Sequence, residues 1–410
     1  MGESGHSAIC DAEHVDVSGV AQPRPLECTD PAADTTAKQA QKQGGVRASK
    51  RVLELDGLRA LAILPILLYH SYPHNVPVLS AIGEAGWMGV DLFFVLSGYL
   101  ITGILVDTVH RQHYYRNFIA RRAIRIFPLY YVFLLIVIVT AKWVYGAASW
   151  ERMQAWGVGW FFIYLGNVRQ VWLNHPPNVE SFSPLWSLQV EEQFYLLFPL
   201  AVWLLSRQNL MRLLTVCAVV APLMRIYLWY RHPADTDAMY MLTTSRIDAL
   251  SLGGLASLLT WERPSWLRRE RLMIVGALSG GAALAIGLRY GFLFYHDPLM
   301  RTIGFTPIDL CCASILCWVV LSPESRITAV LRWKPLVYTG TIAYGIYLLH
   351  MPATVVVRKV AGHFSGSIIE DHSFRAMAIV FPAAFLCASL SWRFFEEPIL
   401  KLKGRFSATA

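Results

Sequence analysis

The sequence predicts an all-α fold: a polytopic integral membrane helix bundle of about ten transmembrane helices, with a re-entrant or interfacial element near residues 155–182. Three observations lead there. Hydrophobic residues make up 55% of the 410-residue chain and charged residues only 16%, against roughly 45–50% and 25% in soluble domains. The apolar excess comes in blocks such as Leu129–Val139, Phe194–Leu205 and Leu272–Leu288, which with their neighbours reach the ~20 residues that cross a hydrocarbon core. Lys and Arg are also divided unevenly between the gaps, as membrane orientation requires. These features exclude a soluble enzyme. Gly 28 and Pro 21 are close to ordinary use, which excludes collagen-like and low-complexity chains.

Residues 1–50 contain no apolar run that would serve as a cleavable signal. Their Ala, Gln, Gly, Asp and Thr content reads as a disordered cytoplasmic tail. The start Met-Gly-Glu-Ser-Gly-His lacks the sixth-position Ser or Thr of a myristoylation signal. Eleven apolar segments follow, at about 55–72, 86–107, 126–145, 155–173, 185–205, 211–230, 238–260, 272–290, 302–322, 335–357 and 374–395. If all eleven crossed, Arg263, Arg268, Arg269 and Arg271 would fall on the side opposite the N-terminus. The stretch 155–173 is interrupted by Asn167, Arg169 and Gln170 and followed by Asn174-His175-Pro176-Pro177. If it does not cross, inside gaps hold 20 Lys and Arg and outside gaps hold 6. The expected arrangement is therefore ten spans across residues 51–403, a short tail at 404–410, and both termini cytoplasmic in a multi-pass cell membrane (inner membrane) protein.

The formal charge is +8. No soluble basic domain exists to bind nucleic acid, and basic loops that set orientation explain the excess. Five of the seven cysteines sit in apolar stretches and there is no CxxC pair, so neither a metal site nor a disulfide framework is expected.

Ionisable groups inside apolar segments cost about 2.5–3.5 kcal/mol each on insertion scales, and each needs a reason. The chain places Asp56, Arg59 and His70 in the first segment, Asp91 in the second, then Glu191, Glu192, Arg225, Arg246, Asp248, Asp309 and His350. Arg59 and His70 are eleven residues apart, about 16 Å along a helix and about 20° past three full turns, so they share a face. Singly, Arg59 reads equally as a snorkelling anchor and His70 as a helix-end histidine bonded to a carbonyl. One face carrying both favours function. Arg122 and Arg125, three apart, are neighbours on a helix. They suit a phosphate or pyrophosphate, or serve plainly as basic anchors. One of Glu191 and Glu192 is expected to face a cavity, where a carboxylate could orient an imidazole. Arg246 and Asp248, two apart, cannot share a face, so each needs a partner on another span or across a local break.

Several blocks then become familiar in order. They are Leu55-Asp56-Gly57-Leu58-Arg59-Ala60-Leu61-Ala62, His70, Gly89-Val90-Asp91-Leu92-Phe93-Phe94-Val95-Leu96-Ser97-Gly98-Tyr99, Arg122-x-x-Arg125-Ile-x-Pro128, Trp186-Ser187-Leu188-Gln189-Val190-Glu191-Glu192-Gln193-Phe194-Tyr195, Arg246-x-Asp248-Ala249-Leu250, Tyr344-Gly345-Ile346-Tyr347-Leu348-Leu349-His350 and Phe395-Glu396-Glu397-Pro398. The chain resembles the membrane acyltransferase-3 family over about 51–403. The resemblance implies an O-acyltransferase that moves an acyl group, usually acetyl from acetyl-CoA, from cytoplasmic acyl-CoA to a hydroxyl of a carbohydrate, glycolipid or secondary-metabolite acceptor, with no metal. It implies essential roles for Arg59 and His70 and a part for Arg122 and Arg125; from the chemistry, the coenzyme A phosphates are expected at Arg122, Arg125 and Arg59, and Glu192 is expected to orient His70. His70 acts either as general base on the acceptor hydroxyl or as an acylated relay. Some members carry a fused extracytoplasmic esterase-like domain. Only fifteen residues follow Phe395 here, so transfer is expected to finish in the membrane domain or on a partner protein. The competing reading is a proton-coupled secondary transporter or exporter of a lipid-linked or small hydrophobic substrate, with Asp56, Asp91, Asp309 and His70 as its relay. Oligomeric state is left open.

Overall fold

Apolar runs without Gly or Pro clusters build helices, and the computed structural model, described over residues 52–72, 77–173, 179–233, 236–289, 297–365 and 373–406, consists of helices joined by short turns, with no strand among the described residues. These residues belong to one compact unit, Arg51–Ala410. The expected tail at 1–50 lies outside the described residues, as do Cys10 and Cys28.

In chain order the helices are α1 (Leu53–Tyr69), α2 (Pro77–Glu84), α3 (Gly89–Thr108), α4 (Tyr114–Tyr145), α5 (Ala147–Trp156), α6 (Gly159–Phe162), α7 (Gly166–Leu173), α8 (Leu185–Leu204) and α9 (Arg207–Arg231). They continue as α10 (Thr236–Met241), α11 (Thr243–Glu262), α12 (Arg269–Arg289), α13 (Phe305–Leu321), α14 (Arg326–Leu331), α15 (Lys334–Thr341), α16 (Ala343–Ser365), α17 (Phe374–Ser391) and α18 (Glu397–Leu400). A 3₁₀ helix, Lys401–Phe406, follows, so helical structure runs three residues past the expected boundary at 403.

Among the described residues six helical runs are long and apolar enough to cross a membrane, and seven if α15 and α16, bent by 69°, count as one span. The expected ten is not reached by this measure. The helices that fall short are charged: α1 has 17 residues and carries Glu54, Asp56 and Arg59, α8 carries Glu191 and Glu192, and α11 carries Arg246 and Asp248. Protein covers Asp56, Arg246 and Asp248 and partly covers the other charges, and a helix face turned to protein need not be apolar. The outer helices show the converse. Only 17% of the apolar window of α9, and of α12, is buried by protein.

The stretch from 146 to 182 behaves differently from a span. Its described residues hold α5, α6, α7 and the 3₁₀ turn Glu180–Phe182, none longer than the 10 residues of α5. Ten residues cover about 15 Å, half a hydrocarbon core. Tyr130 and Tyr131 of α4 tie this stretch down by donating to the carbonyls of Phe161 (2.9 Å) and Phe162 (3.1 Å).

Two buried ion pairs join the central helices. Arg246 of α11 donates to Asp91 of α3, and Arg225 of α9 donates to Asp248 of α11 at 2.8 Å; all four side chains are fully buried. The two α11 residues face different helices, as their spacing requires. Beyond these pairs along both helices, α3 and α11 pack backbone to backbone. A Cβ on Gly98 would lie 2.0 Å from the Leu250 carbonyl oxygen, and one on Gly253 would lie 2.1 Å from that of Val95. Small residues at such crossings let helices approach closely.

Surface pairs join gaps that the Lys/Arg distribution assigns to the same side. Arg332 reaches Glu54 (2.8 Å), Arg269 reaches Glu324 (3.0 Å) and Arg207 reaches Glu262 (2.8 Å), all from the basic gaps. At the other end Arg358 pairs with Glu180, and Gln170 donates to Asp237 at 3.0 Å.

Candidate active site

A cavity of about 120 Å³ opens between α1, α3, α4, α8 and the bend from α15 to α16. Each element brings a distinct chemistry. α1 supplies Arg59, α4 supplies Arg122 and Arg125, and α8 supplies Ser187, Glu191 and Tyr195. The bend supplies Gly340, Ala343, Tyr344 and Tyr347, so small residues and a change of direction open that wall.

The 32 residues of α4 span about 48 Å, more than a hydrocarbon core. The excess is its N-terminal part, and the arginines sit there, one turn before Pro128. Arg59 donates to Asp56 at 2.6 Å. Arg122 and Arg125 are different. Their guanidiniums lie over aromatic rings, Arg122 at 5.3 Å from Tyr195 and 5.9 Å from Phe118, Arg125 at 5.6 Å from Trp392. Among the described residues neither makes a hydrogen bond or an ion pair. Two half-buried guanidiniums with their donors unused are built for an anion.

Glu191 closes the next layer. Ser97 donates to its Oε1 at 2.6 Å, and the Tyr195 hydroxyl reaches Oε2 at 3.1 Å and Ser97 at 3.0 Å. Glu191 therefore faces the cavity. Glu192 does not line it: this carboxylate lies in the electrostatic range of Tyr130, Tyr131, Tyr164 and Tyr344, and its Oε1 is buried without a hydrogen-bond partner. The described contacts of His70 do not include Glu192. Tyr164, in this group, has a φ of 56°, a region L side chains rarely adopt, and its ring stacks on Tyr130 at 4.5 Å.

His70 caps the C-terminal end of α1, with Nδ1 at 3.0 Å from the Ile66 carbonyl oxygen, which is the helix-end bond that its position allowed. It lies outside the cavity wall. Its ring centroid is 4.8 Å from that of His350, which is 6.0 Å from that of Tyr347 in the wall. Nδ1 of His350 is 2.7 Å and 3.2 Å from the Tyr347 and Ile346 carbonyls. It must be protonated to donate, which leaves Nε2 as an acceptor. That Nε2 is buried with no partner. In the sequence His350 stood among the costly intramembrane groups and at the end of the Tyr344–His350 block, with no role assigned to it. A period of three or four from Tyr344 and Tyr347 put it on their face, which was the available signal. Among the described residues no His, Cys, Asp and Glu group could hold a metal ion.

The chain matches the acyltransferase domain family, acyltransferase-3, over residues 52–393. It belongs to that family. Similar curated proteins include the peptidoglycan O-acetyltransferase OatA of Listeria monocytogenes, 30% identical over 369 residues, which covers 86% of this chain and 56% of the relative. The O-acetyltransferase OatA of Staphylococcus aureus is 30% identical over 365 residues, covering 85% of this chain and 57% of the relative. The putative peptidoglycan O-acetyltransferase YrhL of Bacillus subtilis is 30% identical over 373 residues, covering 84% and 54%. The chain thus spans little more than half the length of these relatives. No solved structure matches it significantly. As an acyltransferase-3 member with several helices able to cross a bilayer, it is a multi-pass membrane protein.

Proposed function

We propose that this protein is a membrane O-acetyltransferase that takes acetyl from cytoplasmic acetyl-CoA and places it on a carbohydrate hydroxyl. The observation that carries this reading is the pair of unpaired guanidiniums, Arg122 and Arg125, in the wall of a cavity whose Tyr347 adjoins His350 and, through it, His70. Peptidoglycan, the acceptor in the names of relatives, belongs to the acceptor class, alongside other glycans and glycosylated metabolites. In this reading the protein sits in the cell membrane with its basic gaps and both termini facing the cytoplasm.

In this reading the pyrophosphate of coenzyme A sits on Arg122 and Arg125, with Arg59 beside it. The pantetheine arm enters the cavity and brings the thioester toward Tyr347. The acceptor arrives from the opposite face, where His70 ends α1. Donor and acceptor meet across the Tyr347–His350 layer. His70 takes the acceptor hydroxyl proton as the oxygen bonds to the acetyl carbon. The carbon–sulfur bond then breaks, and the proton passes to the departing thiolate. The covalent variant, with acetyl resting on an imidazole nitrogen, uses the same residues.

The direct test supplies radiolabelled acetyl-CoA to membranes containing the full chain and follows label into glycan. Transfer by the natural protein and its loss in His70→Ala is the expected result. Label transfer undiminished in His70→Ala overturns the role of His70, and proton-coupled uptake without any acyl transfer overturns the enzyme reading.

A further inference from the structure

The arginines of α4 have a neighbour from the far end of the chain. The 3₁₀ helix Lys401–Phe406 packs against α4. With three residues per turn, Lys403 and Phe406 share one face of it. Those two are half-buried, whereas Lys401, Leu402, Gly404 and Arg405 are exposed. The inward face of this helix therefore carries an ammonium group. Lys403 lies in the electrostatic range of Arg125, Arg122, Arg121 and Arg59, and all four repel it.

Five cations thus converge at one end of the bundle, and among the described residues only Arg59 of the five has a carboxylate in direct contact. Asp56 holds Arg59, while Glu191 and Glu192 act on Arg122, and Glu396 on Arg125, without an ion pair to either. Arg122 and Arg125 make no hydrogen bond or ion pair among the described residues, and Nε of Arg121 is buried with no partner. Like charges this close destabilise the fold, and buried donors left empty cost more. An anion of several charges removes both penalties.

We propose that Lys403, with Arg121, forms a second phosphate subsite beside the Arg122–Arg125 pair. The ligand is a nucleotide that carries a phosphomonoester as well as a pyrophosphate. A planar guanidinium pair suits the pyrophosphate, while the compact ammonium of Lys403 suits a terminal monoester bearing about −1.5 to −2 charges. This inference rests on the acetyl-CoA reading and adds to it: the 3′-phosphate of coenzyme A is read by the C-terminal helix. Lys403 lies beyond residues 52–393, which match the family.

The test compares acetyl-CoA with 3′-dephospho-acetyl-CoA as donors for the full chain in phosphatidylcholine nanodiscs. The natural protein should prefer acetyl-CoA. Lys403→Ala should raise KM for acetyl-CoA about tenfold, the lower end expected for a bond to a charged group. It should leave kcat, and KM for the dephospho donor, within about twofold, so discrimination between the donors collapses. Lys403→Arg should restore most of it. The unchanged dephospho kinetics also show that the variant is folded. Equal effects on both donors, or no effect on either, overturn the proposal. The same measurements with phosphatidylglycerol added test the other phosphate source. If Lys403→Ala matters only in that lipid, the residue reads a headgroup and the proposal falls. A natural protein that uses neither donor refutes the acetyl-CoA reading itself, and this subsite with it.

Discussion

The imidazoles of His70 and His350 stand 4.8 Å apart between ring centroids, one at the end of α1 and one buried within α16. The bonds from His350 to backbone carbonyls fix its tautomer and leave an unpartnered acceptor beside His70. Replacing His70 by Ala should lower kcat by about 10²–10⁴, the usual contribution of a general base. His350→Phe keeps the volume but removes the acceptor. It should lower kcat about ten- to a hundredfold, in line with losing a bond in a buried network, with KM for acetyl-CoA little changed. Label transfer under saturating donor measures both, and an unchanged kcat in His350→Phe would reduce that residue to packing.

Arg122 and Arg125 should act on binding rather than turnover. Alanine at either position removes charge-assisted bonds worth about 1.5–3 kcal/mol, so KM for acetyl-CoA should rise about ten- to a hundredfold while kcat holds. Lysine should recover only part of this, because an ammonium cannot present the paired donors of a guanidinium. Initial-rate kinetics in nanodiscs separate the two parameters, and a fall in kcat alone would place these arginines elsewhere in the cycle.

The Arg246–Asp91 pair is a stability element. Asp91→Ala leaves a guanidinium with no exposure to solvent and without its carboxylate, a loss of about 3–5 kcal/mol for buried pairs. The double variant Asp91→Leu with Arg246→Met should be closer to the natural protein than either single change. Thermal unfolding in detergent reads this directly; additive losses in the double variant would show that the two residues are not coupled.

Backbone contact between α3 and α11 yields a sharper steric prediction. Gly253→Ala puts a methyl 2.1 Å from the Val95 carbonyl oxygen, so the helices must separate, at a cost of about 1–3 kcal/mol for overpacking. Gly281→Ala is the control, because a Cβ there meets nothing within 4 Å and alanine favours a helix by up to about 1 kcal/mol. Equal melting temperatures for the two variants would contradict the close crossing.

Much of the site was legible because membrane burial makes charges conspicuous. Arg59 and His70 stood out as polar groups in an apolar run and Arg122 and Arg125 as a pair at the edge of one, and helical spacing alone put the members of each pair on one face. The choice between Glu191 and Glu192 was not legible. Adjacent residues on a helix point about 100° apart, and only the position of Ser97 and Tyr195 on two helices shows which of them meets the cavity. The position of His350 beside His70, and of Lys403 beside the arginines of α4, required helices far apart in sequence to be brought together.

The sequence by itself determined the helical class, the basic and non-basic faces, the family and the short roster of costly charges, because lipid penalises exposed polar groups wherever they occur. Tertiary structure decided which charges neutralise each other and which are left for a ligand. Arg225 and Arg246 are consumed by Asp248 and Asp91 in the bundle, whereas Arg122 and Arg125 face a cavity with their donors unused. Composition cannot distinguish these two fates, since pairing depends on distances of a few ångströms between helices that the chain order does not fix.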